Sequence, residues 1–143
     1  MSDRNVKVVR NNGTKPFTMR LLKTASTLFD KNSLVEFASG VINPSDDNDT
    51  VVHGIILEEV AATDSDYATT GSNGGKMVEV LRPGDEIEID ADKTATVGAS
   101  YGISDAYTID VDDTTNKVIT VTAVLSATRV RGVMKTYLGS NAL

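Results

Sequence analysis

A chain of 143 residues with a 40% apolar share forms one domain of ordinary size, able to bury about two-thirds of its unfolded surface. The absence of Cys excludes disulfides, thiolate metal sites and thiol nucleophiles, and no apolar run nears the ~20 residues that cross a membrane. The net charge of −6 is unevenly laid out: residues 1–31 hold seven bases and two acids, residues 32–128 four bases and 18 acids, and the last fifteen three bases. Such asymmetry speaks to partners and solubility rather than to fold.

The opening MSDRNVKVVRNNG is mixed and polar, without the apolar segment of a secretory signal. The expectation is synthesis in a cytoplasmic setting, or carriage in a particle assembled there. VKVVR reads as a strand and NNGTKP as a loop. FTMRLLKTASTLF fits two periods: Leu21, Leu22, Ala25, Leu28 and Phe29 recur at helical spacing, while Phe17, Met19 and Leu21 alternate as in a strand. Residues 1–31 are therefore expected to be a basic N-terminal arm or a short helix. Residues 32–143 are expected to be a β-barrel body with a basic C-terminal strand or tail.

From residue 34 onward the period is mainly two. The predicted strands are LVEFA (34–38), VVHGIILEEV (51–60), KMVEVLR (76–82), DEIEIDA (85–91), YTIDV (107–111), KVITVTAVL (117–125) and TRVRGVMKTY (128–137). Between them INPSDDND, TDSDYATTGSNGG, RPGD, GASYGISD and DDTTN have the Gly, Pro, Asn, Asp and Ser content of turns. Tyr107, Ile109 and Val111, then DDTTN, then the alternation from Val118 to Val124, predict a β-hairpin. Short strands without long helices between them predict an all-β fold, a small antiparallel barrel or sandwich.

The densest charge is RPGDEIEIDAD, with Asp85, Glu86, Glu88, Asp90 and Asp92 within eight positions. Pro83-Gly84 is turn chemistry. After it Ile87, Ile89 and Ala91 share one face, and Glu86, Glu88 and Asp90 the other. Acids two apart on a strand stand roughly 7 Å apart, a straight ladder rather than the curled oxygen cage that calcium takes. The expectation is a solvated face, or else one that meets a basic partner.

Other chemistry is weaker still. His53, the one histidine, sits inside an apolar strand and reads as a core or edge histidine with one hydrogen bond. GSNGG (71–75) precedes a strand rather than a helix N-terminus, so it reads as a turn and not a phosphate loop. SDDND (45–49) and DVDD (110–113) lack the spaced ligands and distal glutamate of a calcium loop and read as solvated turns. A body rich in acids would repel nucleic acid, whose binders gather bases on a folded face. The reading is of a non-enzymatic protein without cofactor or metal, with no small-molecule substrate, no nucleic acid and no membrane among its partners.

FASGVINP, VVHGIILEEVAATDSDYA, MVEVLRPGDEIEIDA and NKVITVTAVLSATRVRGVM, in that order, resemble the decoration (cement) proteins of tailed-phage capsids, such as the head decoration proteins of lambda-like phages. Gly40, Gly54-Ile55-Ile56-Leu57 and Ala61-Ala62 occupy the pattern's places, over roughly residues 34–134. The resemblance implies a β-barrel or β-tulip domain, SH3-like; the segment before residue 30 has no counterpart in it, and the extended N-terminal arm is read from the residues themselves. The resemblance also implies a homotrimer on the outer capsid surface of a virion, bound to the major capsid protein and stiffening the shell. On this reading the arm makes the contact, with Arg4, Val6, Val8, Arg10, Phe17, Arg20, Leu21 and Leu22 as capsid-contact residues that order on the shell. The other reading of residues 6–10 is the first barrel strand, its bases in solvent. A receptor- or glycan-binding tip module, using Tyr67, Tyr101 and Tyr107, is the alternative from another class, and a tail or connector subunit is a third.

Overall fold

A computed structural model describes residues 6–11, 16–70 and 75–135. Within them the chain is all-β, with no helix. The strands are β1 (Lys7–Arg10), β2 (Thr18–Leu21), β3 (Leu34–Ala38), β4 (Val41–Pro44), β5 (Gly54–Ile56), β6 (Lys76–Val80), β7 (Glu86–Ala91), β8 (Ser100–Asp105), β9 (Thr108–Asp110), β10 (Ile119–Ser126) and β11 (Arg129–Met134).

Five of them, β7, β11, β10, β8 and β9, pair in that order, and a parallel pairing of β9 with the end of β7 closes them into a barrel. The start of β7 carries one extra strand, β1, antiparallel to it. Ile87, Ile89, Ile103, Ile109, Ile119, Val121 and Val130 fill the interior. They come from alternate positions because the side-chain period of a strand is two.

The other five strands form a second sheet, β2-β6-β5-β3-β4. It curls back on itself just past β2, where the Ile42 N–H donates to Leu22 O at 2.8 Å and the Thr24 N–H to Ile42 O at 3.0 Å. Leu21, Phe29, Val35, Ile42, Ile56, Val60, Val78 and Val80 form its own core. β3 and β5 serve both cores, since Leu34 and Ile55 face the barrel interior while Val35 and Ile56 face the second core. One-residue alternation thus joins the two halves.

Several turns follow from their residues. Ser39 (φ 55°) and Gly40 (φ 82°) make the two-residue link between β3 and β4, positive at both central positions as a type I′ hairpin requires. In RPGD the Asp85 N–H closes on Arg82 O at 3.0 Å with Gly84 at φ 94°, as Pro-Gly dictates.

Four expectations are corrected. Residues 42–44 and 100–105, read as turns, lie in β4 and β8; Gly102 and Ser104 gave β8 the composition of a loop. The hairpin expected over 107–125 does not form, because β8 lies between β9 and β10 and pairs with both. VVHGIILEEV holds only three strand residues, Gly54–Ile56. In the first segment the strand period wins over the helical one: Leu21 is buried, Met19 packs beside it, and Ser26 and Asn32 at positive φ turn the chain that follows. The described part of that segment is extended, and it is bound into both sheets by β1 and β2.

Candidate interaction surface

The acidic stretch resolves residue by residue. Asp85, 1% exposed, is a turn cap whose Oδ2 accepts the Arg82 N–H at 3.0 Å. Asp92 Oδ1 accepts the Val111 N–H at 3.0 Å, tying the end of β7 to the loop after β9. Glu86, Glu88 and Asp90 point outward from β7 while Ile87, Ile89 and Ala91 point in.

Those outward acids lie between two basic strands. Opposite them stand Lys7 and Arg10 of β1 and Arg129 and Arg131 of β11, in the register Lys7↔Glu88, Arg10↔Glu86, Arg131↔Glu88 and Arg129↔Asp90. Arg129 donates to Glu88 at 3.0 Å and to Asp90 at 2.8 Å. Arg131, Arg10 and Lys7 reach Glu88, Glu86 and Glu88 at 3.5, 3.6 and 3.9 Å, and the Thr122 hydroxyl also meets Glu86. Four bases face three acids here. Burial alone would raise the Glu88 pKa, but the hydrogen bond and charge of Arg129, with Lys7 and Arg131, hold it below its ordinary range. The basic partner of the acidic face is the chain's own two ends.

This ladder takes up part of the contact set expected from the first segment. Arg10 pairs with Glu86. Arg20 lies 3.7 Å from Glu58 and donates to Gly75 O at 3.2 Å, with half its side chain exposed. Val6 is buried in the barrel core and Leu21 in the second core, so both are corrected from contact residues to core residues. Val8 packs half-buried against the barrel. Arg4 lies outside the described residues. Phe17 (40% exposed) and Leu22 (44%) do present apolar surface, and Leu28 (59%), absent from the expected set, presents more.

The remaining candidates have structural partners. The His53 ring, nearly buried, accepts the Phe37 N–H on Nδ1 at 2.8 Å, as a core histidine does; burial lowers its pKa, outweighing the nearby Glu36 charge. Tyr101 is buried and its hydroxyl accepts the Thr96 N–H at 3.1 Å. The Tyr67 hydroxyl donates to Ser26 O at 3.1 Å, and Tyr107 packs on the barrel core. In DVDD, Asp110 and Asp113 accept N–H groups of their own loop, as solvated turns do. Residues 71–74 of GSNGG lie outside the described residues.

SDDND departs from expectation, because Asp49 is buried. Burial and then a hydrogen bond with the Glu36 carboxyl push its pKa up to about 7. Burial disfavours the charged form of a carboxyl, and a second acid nearby disfavours it further.

No protein-family model, curated protein or solved structure matches the chain.

Proposed function

We propose that this is a non-enzymatic structural protein that binds the outer surface of a tailed-phage capsid and stabilises the shell, as a trimer on the major capsid protein. The resemblance over residues 34–134 motivates the reading. The observation that carries it is the exposed apolar set Phe17, Leu22 and Leu28, with the half-exposed Arg20 between them, on one stretch of chain clamped to the second sheet. Phe17 and Leu22 flank β2, their carbonyls accepting from Val80 and Ile42, and Leu28 precedes Phe29, whose N–H donates to Val60 O; side chains presented from such tethered backbone lose little freedom on docking, which leaves more of the burial energy as affinity. Multiple copies on a repeating lattice then add avidity without new contacts. The ion pairs of β1, β7 and β11 hold the fold rather than the partner.

Co-sedimentation with shells assembled without the protein tests this. The wild-type chain binds, the triple variant F17S/L22S/L28S loses at least about tenfold in occupancy, and R10A, whose partner is internal, binds as wild type. Absence of wild-type binding to such shells would overturn the reading. Wild-type occupancy in the triple variant would overturn the contact assignment alone.

A further inference from the structure

Strand β10 is paired along its whole length on one side and only at its start on the other. β11 accompanies it from Ile119 to Ser126. On the opposite edge β8 meets it at Ile119 and Thr120. The Gly98 N–H then donates to Val121 O at 2.8 Å, and the Val121 N–H to Ala99 O at 2.9 Å. There the chain turns away, the Ala99 N–H closing on Thr96 O at 3.1 Å. Residues 122–126 therefore present an edge that no other described strand pairs.

Natural proteins guard such edges with charge, proline or cover. Strand β1 carries Lys7 and Arg10, β2 carries Arg20, and residues 22–24 close on β4 at Ile42. β10 has none of these, since residues 118–128 hold no charged side chain and no proline. Its two register shifts twist the edge without blocking it. Leu125 on the strand is 46% exposed and Val97 in the adjoining turn 59%, while Val124 anchors the strand to the barrel core.

We propose that this edge pairs with the same edge of a second copy, β10 against β10 antiparallel about a two-fold axis, joining two barrels through one sheet. A two-fold contact sets a patch against itself, and like charges across two strands repel. An uncharged strand meets its own copy without that cost, whereas pairing β1 with β1 would gather Lys7 and Arg10 of both copies. Main-chain hydrogen bonds supply the affinity, as for any added strand, and the exposed apolar surface of Leu125 adds to it. The contact joins free chains in solution and does not rest on the shell reading.

Sedimentation and hydrogen exchange of the full chain at about 1 µM and about 100 µM test this. The wild type shifts from monomer toward dimer, and amide exchange in residues 122–126 slows with concentration while that in β1 does not. L125K, which brings a lysine from each copy into the contact, weakens association at least about tenfold and abolishes the slowing. S126K does the same and serves if L125K does not fold. A wild-type chain that stays monomeric overturns the proposal, as does a smallest assembly of other than two copies. Exchange in 122–126 that ignores concentration also overturns it, whether another surface joins the copies or the chain covers its own edge. Wild-type pairing in whichever variant folds does the same.

Discussion

Arg129 stands beside Glu88 across the β11–β7 junction, its Nε donating to Oε2 at 3.0 Å while its Nη1 reaches Asp90 at 2.8 Å. A base from residues 129–143 thus sits on acids from the middle of the chain, and Lys7 and Arg10 approach the same strand from its other edge. Charges segregated along the sequence are interleaved in the sheet. Opposite charges directly across two strands contribute roughly 0.2–1 kcal/mol each, and a shared carboxylate makes them interdependent.

Arg129→Ala is expected to lower stability by about 1 kcal/mol, a surface-pair value raised by its two hydrogen bonds and reduced by solvent. The midpoint of urea unfolding checks it. The Glu88 pKa is depressed, so its contribution is complete above its unfolded value and lost as pH falls through its folded value. The variant is therefore less sensitive to acid below pH ~4 than the wild type. An unchanged midpoint and an unchanged acid limb would show that the ladder contributes nothing.

Asp49 has the opposite sign. Its folded value, about 7, lies above its unfolded one, so its stabilising contribution is complete below pH ~4 and lost as pH rises to about 7. Global stability should fall by about 2 kcal/mol over that window, less than the full shift implies because the loop relaxes. Asp49→Asn should flatten this slope. Urea midpoints at pH 5 and pH 7.5 decide it, and parallel profiles in the two proteins contradict the assignment.

The sequence showed the face of each residue more readily than the neighbour of each strand. The alternation of Ile87 and Ile89 with Glu86, Glu88 and Asp90 was readable because period and pleat are the same fact. That β1 and β11 flank β7 was not readable, since pairing is set by closure of the whole barrel and leaves no local mark. Gly102 misled because glycine marks both turns and places where another chain segment passes close. Asp49 was hidden for a similar reason: four polar neighbours made an exposed loop of a segment whose one buried carboxyl turns back to accept the Asp46 N–H. Of the first segment's apolar residues, Phe17 and Leu22 are exposed while Val6 and Leu21 are buried, and composition and charge alone do not separate the two pairs.

Gly102 yields a sharper test. A Cβ there would lie 2.8 Å from Asn116 O and 2.6 Å from Asp113 Cγ, with Oδ2 closer still. Gly102→Ala should cost about 2 kcal/mol as the β9–β10 loop is pushed outward. Asp113→Ala should relieve part of that cost, making the double variant more stable than the sum of the single losses predicts. Thermal midpoints of the four proteins measure the coupling. Strict additivity would mean that the loop does not close over Gly102.

Lys23 is a buried cation held by backbone carbonyls. It is fully buried one residue from the exposed Leu22, and its Nζ donates to the carbonyls of Thr69, Asp66 and Tyr67 at 2.6, 2.8 and 3.3 Å. Its backbone N–H adds Thr70 O at 2.8 Å, so a single residue gathers the 66–70 loop onto the second sheet. Lys23→Met keeps the aliphatic stem but leaves three carbonyls without their shared donor, at a cost of about 3 kcal/mol. The damage should be local first, with protease cutting within residues 61–70 under conditions that leave the barrel whole. Lys76→Met serves as the control, since Lys76 holds the Asp66 side chain at 3.2 Å without caging the loop backbone, and should cost less than about 1 kcal/mol. If both variants lose the same small amount, the buried ammonium is not what holds the loop, and the packing of Tyr67 on the second core must carry it instead.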